Sequence, residues 1–234
     1  YGGGCIYSEG DVALLQATVS GCEVTTFGGI DARGGAIFAV NGVLLRRSRV
    51  VDNLAHADGA DVKGGAIYAH YVIGSSQNTI AGNSASGDVS HVARGGGIFT
   101  TYLRLDESTV SGNAADAGGG LYISSLGANI RSQLVNATVS ANHANGAGGG
   151  VYSMRSLHLY NSTVATNTSV SDGGAGIYMH TGILGLDSTI VANNMGGAGL
   201  DASDISGYVY TVVTGAHNLV IASTVALPAD TLRV

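Results

Sequence analysis

Three cations recur at one place in this sequence. Arg33, Lys63 and Arg94 each stand immediately before a glycine pair, and Asp31 and Asp61 lie two residues ahead of the first two. His56, Asp58, Asp88 and His91 fall in the same segments. Brought side by side, these segments would form a cationic stripe able to hold the carboxylates or sulfates of an acidic sugar chain. Paired carboxylates beside it would suit calcium, which takes several oxygen ligands. A basic side chain there could abstract the proton α to a uronate carboxylate, as β-elimination requires. The ligand-binding candidates are therefore Asp31, Arg33, His56, Asp58, Asp61, Lys63, Asp88, His91 and Arg94, with Arg33, Lys63 and Arg94 as catalytic candidates. A plainer reading fits the same residues: a solvated row of Asp–Arg and Asp–Lys pairs, each contributing little. Like charges about 4.8 Å apart repel by roughly 0.9 kcal/mol even at the dielectric of water, so the aspartates are expected to offset the row.

The elements that position these residues are repeats. Gly64-Gly65-Ala66-Ile67-Tyr68 has a counterpart at Gly34 to Phe38, Gly95 to Phe99, Gly118 to Tyr122, Gly148 to Tyr152 and Gly174 to Tyr178, with Gly3 to Tyr7 opening the series. Aligned on the aromatic, the copies fall at 7, 38, 68, 99, 122, 152 and 178. A second motif, T-[VI]-x-x-N, follows most copies and ends at Asn83, Asn113, Asn142, Asn167 and Asn193, with a looser version ending at Asn53. Short units that cannot bury their own apolar face must stack. Bursts such as Val50-Val51, Ile80 and Val110, separated by Gly, Asn, Asp and Ser, are strand-like. The chain therefore reads as an all-β, single-stranded parallel β-helix of about seven to eight coils, stacked about 4.8 Å apart. Its right hand is the expectation for parallel crossovers.

Stacking turns repeated residues into ladders. Glycine or alanine at the GG[AG] site suits a tight corner or a close approach between walls. Asn53, Asn83, Asn113, Asn142, Asn167 and Asn193 fit an inward amide ladder, each donating to one neighbour and accepting from the other. Thr18, Thr79, Thr109, Thr138, Thr163 and Thr189 are expected to stack alongside. A single such row, broken by Arg49, is poor support for an ice-matching face. The segments after the first three coils, Glu23 to Arg33, Leu54 to Lys63 and Ser84 to Arg94, read as long loops that raise a ridge. Those after the next three are short: Ala114 to Ala117, His143 to Ala147 and Thr168 to Asp172. Insertions on one face of a solenoid often mark its binding side. Coil five carries an extra bulge over Ser124 to Ser132. The regular coils cover about 2–194. Beyond them, 195–234 loosen, with Met195 to Leu200 a candidate start of an eighth coil, Ile205 to Val213 strand-like, and Asn218 to Ile221 closing the stack. All of it reads as one domain, 1–234.

Cys5 replaces the small residue of the first GG[AG] site, and Cys22 replaces the first ladder asparagine. The equivalent pairs, Ala36 with Asn53 and Ala66 with Asn83, have the same separation. If the two ladders face each other across the coil, Cys5 and Cys22 meet as a disulfide, which implies an oxidising, secreted setting. Two free buried thiols are the alternative.

Composition narrows the classes. Of 234 residues, 45% are hydrophobic and 11% charged, unlike a disordered chain. The formal charge of −6 makes nucleic acid a poor partner. No apolar run reaches the length of a membrane-spanning helix. The chain opens inside a repeat and without Met, which reads as a processed protein or a fragment. The seven histidines form no HxH or HExxH pair, although His70 and His180 both follow an aromatic by two, and no metal is expected beyond the calcium already raised. There is no G-x-S-x-G elbow. The sequons at Asn136, Asn161 and Asn167 arise from the repeat itself, and Asn167 belongs to the ladder, so they are discounted.

The paired GGA[IVL] and [ST]-[VI]-x-x-N motifs resemble the repeats of the polymorphic outer-membrane protein family and related bacterial β-helix proteins, over about residues 2–194. Two departures stand out: Val or Ile replaces the Phe of FxxN, and this chain carries no autotransporter barrel. The resemblance implies an extracellular or outer-surface protein, often adhesive; taken with the residues, the chain reads as a bacterial, non-enzymatic surface or secreted structural protein, adhesive or filament-forming. Its partners would be host or matrix glycans or proteins, or further copies stacked end to end through open strand edges. Pectate-lyase-like enzymes share the architecture, so a polysaccharide lyase or hydrolase acting at the ridge is the alternative.

Overall fold

A computed structural model shows a parallel β-solenoid of about seven turns, with no helix among the described residues. The structure describes residues 1–88, 90–124, 131–171, 173–197, 201–208 and 211–232. Each turn contributes to three faces. Face A is a 14-stranded sheet that begins at the Gly-rich motif, as in Ile67–Ser75 and Ile98–Asp106. Face B is an eight-stranded sheet of short strands such as Thr79–Ala81 and Thr109–Ser111. Face C, also eight-stranded, includes Glu23–Thr26, Leu54–Ala57 and Ser84–Gly87.

Period-2 alternation decides what points inward. On face A, Ile37, Ile67, Ile98, Leu121, Val151 and Ile177 are fully or almost fully buried, while the aromatic that follows each lies on the opposite face of the strand, half-buried except for Tyr122, which is buried. On face B the inward row is Val50, Ile80, Val110, Val139, Val164, Val191 and Val220. Burying each such side chain contributes roughly 1.5–3 kcal/mol, so the continuous apolar column is the main source of stability.

The corners account for the glycines. The first glycine of each motif turns the chain at positive φ, +78° at Gly64 and +71° at Gly95. A Cβ on the second would strike backbone: at Gly65 it would lie 2.2 Å from the Gly96 carbonyl oxygen. Two further left-handed corners flank face B in almost every coil and do not require glycine. Arg47, Gln77, Glu107, Asn136, Asn161 and Ser188 precede the strand, and Asp52, Ala141, Thr166 and Asn193 follow it, all with φ between 46° and 58°. Each costs about 1 kcal/mol of backbone strain. A buried polar side chain follows nearly every one and bonds to the adjacent coil.

After the second corner comes the asparagine ladder. Asn53, Asn83, Asn113, Asn142 and Asn167 each donate from Nδ2 to the next Oδ1 at 2.8–2.9 Å, and each Oδ1 also accepts the preceding coil's backbone N–H. The second Nδ2 hydrogen reaches a face B carbonyl, as from Asn113 to Ile80 at 3.0 Å. Asn193 is not a member. It is the exposed left-handed corner, and Asn194, fully buried, continues the ladder. The threonine row needs the same one-residue correction: Thr163 pairs with Ile190, and Thr189 lies buried before the strand. Coil seven has the same motif letters displaced by one position, and stacking follows the buried column rather than the letters.

The segments read as ridge loops are largely strands. Glu23–Thr26, Leu54–Ala57 and Ser84–Gly87 belong to face C, and Ala32–Arg33, Val62–Lys63 and Ala93–Arg94 form a separate three-stranded ladder. A small second core of Ala32, Ala55, Ala57, Ala60, Val62, Ala85 and Ala93 lies beneath. The long insertions thus carry enough small apolar residues to fold back on themselves.

Met195–Gly196 does not open an eighth coil. It completes the seventh by pairing with Thr168–Ser169, and Asp201–Ala202 returns antiparallel to it. Ile205–Gly207, Val212–Thr214 and Leu219–Val220 then add a final layer to faces A and B. Within the segments singled out from sequence, position 89 of the third ridge segment, 125–130 of the coil-five bulge, 172, 198–200 of the Met195 segment, and 209–210 lie outside the described residues.

Candidate functional site

The three-stranded ladder sets Arg33, Lys63 and Arg94 in one register, with Ala32, Val62 and Ala93 buried beneath them. The cations alternate with aspartates in a zipper. Arg33 bonds Asp31 at 3.0 Å, Lys63 bonds Asp31 at 2.9 Å and lies 3.9 Å from Asp61, and Arg94 bonds Asp61 at 2.6 Å. Asp31 therefore neutralises the space between the first two cations and Asp61 the space between the last two, which resolves the like-charge repulsion. Partial burial pushes both carboxyls up in pKa, but cationic hydrogen bonds and charges outweigh it. Lys63 and Arg33 hold Asp31, and chiefly Arg94 holds Asp61, below the usual carboxylate range.

The other predicted residues do not join this row. His56 Nδ1 meets the Ser86 hydroxyl at 3.0 Å on face C. Asp88 organises its own turn: it bonds His91 at 2.8 Å and accepts the Ser90 and Gly59 N–H groups. Asp58 is exposed. Among the described residues, no three His, Cys, Asp or Glu side chains are grouped to hold a metal ion.

Cys5 and Cys22 are joined, with Cα atoms 5.6 Å apart. The geometry behind the pairing recurs in later coils: a Cβ on Gly120 or Gly150 would lie 3.0 Å from the ladder asparagine Cγ. Asn136 and Asn161 are exposed at corners, whereas Asn167 is buried in the ladder.

Two surface features escaped the sequence reading. The motif aromatics form an external stack. Tyr7, Phe38, Tyr68, Phe99, Tyr122 and Tyr152 follow one another at 4.8–5.4 Å with nearly parallel rings, and Tyr178 continues at a tilt. Arg33 leans over the Tyr68 ring at 5.6 Å, so the cation row borders the stack. Burial raises the Tyr152 pKa to about 12, with Tyr122 and Tyr178 adding to it. The stack's spacing was legible in the sequence; its outward direction followed only from the burial of the residue before each ring. The second feature is a patch formed by Tyr71 and Tyr102, register partners on face A. Tyr71 covers Gly42 of the preceding coil, where a Cβ would lie 2.0 Å from its ring, and its hydroxyl donates to Asp11 two coils away at 2.7 Å.

Every cation in the zipper is committed to a carboxylate, and the tyrosines present rings and hydroxyls along a rigid sheet. Comparison with known proteins adds no family: the chain matches no family model, no curated protein and no solved structure.

Proposed function

We propose that this chain is a non-enzymatic, secreted or surface-displayed β-solenoid that presents a long rigid surface for adhesion, as the resemblance to the polymorphic outer-membrane proteins implies. The observation that carries this reading is the closed Arg33–Asp31–Lys63–Asp61–Arg94 zipper. A lyase acting on an acidic glycan needs a cation for the substrate carboxylate and a base for its α proton. Here each cation would have to give up an internal partner first. The disulfide supports the oxidising setting that secretion provides.

The test is a depolymerisation screen. The protein is incubated with pectate, alginate and sulfated glycans, with and without calcium, while ultraviolet absorbance and chain length are followed. Intact polymers are expected throughout. Unsaturated ends or shortened chains that disappear on combined replacement of Arg33, Lys63 and Arg94 by Ala would replace this reading with a polysaccharide lyase or hydrolase.

A further inference from the structure

Beside the cation row, face A carries a groove that none of the predicted site residues define, apart from Lys63 at its rim. Two shallow hollows, of about 350 and 390 Å³, adjoin at the exposed His70. Tyr68 and Phe99 of the aromatic stack border one, and Tyr71, Tyr102 and Ile73 line the other. We infer that this groove is a binding site for a neutral linear saccharide. The inference rests on the adhesive reading above and names the ligand class and the residues.

Three properties select that ligand. The first is the pairing of aromatic and polar surface. A pyranose ring has apolar C–H faces and a rim of hydroxyls, so it matches a site where aromatic side chains flank hydroxyl and imidazole groups. Tyr71 and Tyr102 supply the aromatic surface, and Thr101 and His70 supply hydrogen-bonding groups within the same groove. The second is preorganisation. The Tyr71 ring is pinned over Gly42 and its hydroxyl is tied to Asp11, so binding need not order it. Tyr102 is fixed in register beside it by the strand pairing. The third is charge. Lys63, at the rim, is shared between Asp31 and Asp61, and the whole chain carries −6, so a polyanion meets no uncommitted cation there and a repulsive overall field. An uncharged chain avoids both penalties. The groove is open and follows the sheet across adjacent coils, which suits a few units of a polymer.

The experiment measures binding of cello-, chito- and manno-hexaoses, with oligogalacturonate and oligoalginate as acidic controls, by calorimetry and tyrosine fluorescence. At least one neutral hexaose is expected to bind. Y102A is expected to weaken it roughly tenfold or more, on the scale of one lost aromatic contact. Y71F, which cuts the tether to Asp11 without removing the ring, is expected to weaken it less, and R94A, at a residue that lines neither hollow, is expected to leave it unchanged. Circular dichroism and thermal melting confirm that each variant is folded. Failure of all three neutral hexaoses to bind overturns the inference, as does neutral binding that Y102A leaves intact. Binding of acidic oligomers alone, lost on combined R33A, K63A and R94A substitution, also overturns it while leaving the adhesive reading standing. Cleavage of any oligomer overturns the non-enzymatic reading instead.

Discussion

Asp204 closes the asparagine ladder, and replacing it with asparagine tests the hydrogen-bond logic of the whole rod. Its carboxylate is fully buried and accepts from four donors. Oδ1 takes the Asn194 backbone N–H at 3.0 Å and Nδ2–H at 2.8 Å; Oδ2 takes the Ile221 N–H at 3.1 Å and the Ala222 N–H at 2.9 Å. Every other position in the ladder needs a group that both accepts and donates. This one needs a group that only accepts. Asp204→Asn changes one atom and almost no volume, so packing is held constant. The new amide has one oxygen, and either rotamer aims its NH₂ at two donors. Two N–H groups lose their acceptor, buried ones on the Asn194 side or partly buried ones on the Ile221–Ala222 side, at up to about 1–3 kcal/mol each and so up to about 2–6 kcal/mol in total. That is a large share of the roughly 5–15 kcal/mol typical of a domain. The assay is guanidinium unfolding followed by far-ultraviolet circular dichroism. Because stacked repeats can unfold in parts, hydrogen exchange at the Ile221 and Ala222 amides localises the effect. A variant within about 0.5 kcal/mol of the parent, the range of a neutral surface change, with unchanged exchange at these amides, refutes the reasoning.

Asn113→Asp is the mirror experiment. It leaves a carboxylate facing the Ile80 carbonyl and the Asn142 Oδ1, and a loss of similar size in the same unfolding assay is expected. Replacing both Cys5 and Cys22 with serine is expected to cost about 3 kcal/mol, because the bond closes a short loop, and thiol titration of the denatured, unreduced parent should find no free thiol. Asp31 and Asp61 have depressed folded pKa values, so their contribution is present above the unfolded value near 3.8 and lost as pH falls below it. The acid limb of a melting-temperature profile should therefore flatten in the D31N/D61N variant. Tyr152 runs the other way. Its pKa is raised to about 12, so its contribution is intact below the ordinary tyrosine value of 10.0 and lost as pH rises through 12, where ultraviolet titration should show a late-ionising tyrosine that Y152F removes.

The sequence by itself determined the architecture and most of the ladders. A residue type that recurs once per coil must occupy one position on the stack, and Gly, Asn and β-branched residues suit a close-packed corner, an amide ladder and a strand respectively. That logic placed Asn53 to Asn167, brought Cys5 to Cys22, and put Arg33, Lys63 and Arg94 in one row. Tertiary structure decided what depends on how coils meet. Asn194 rather than Asn193 carries the ladder because the buried Val164–Val191 column sets the register, and an extra residue in coil seven moves the motif letters off it. The ridge became strands because its alanines find a second core only when three coils lie side by side. The cations are engaged because Asp31 bonds its own coil's arginine and the next coil's lysine at once, a pairing set by stacking rather than by spacing along the chain. Asp204 lies outside every motif, and its place at the end of the ladder follows from the last layer folding over Asn194, where the geometry calls for a group that can only accept.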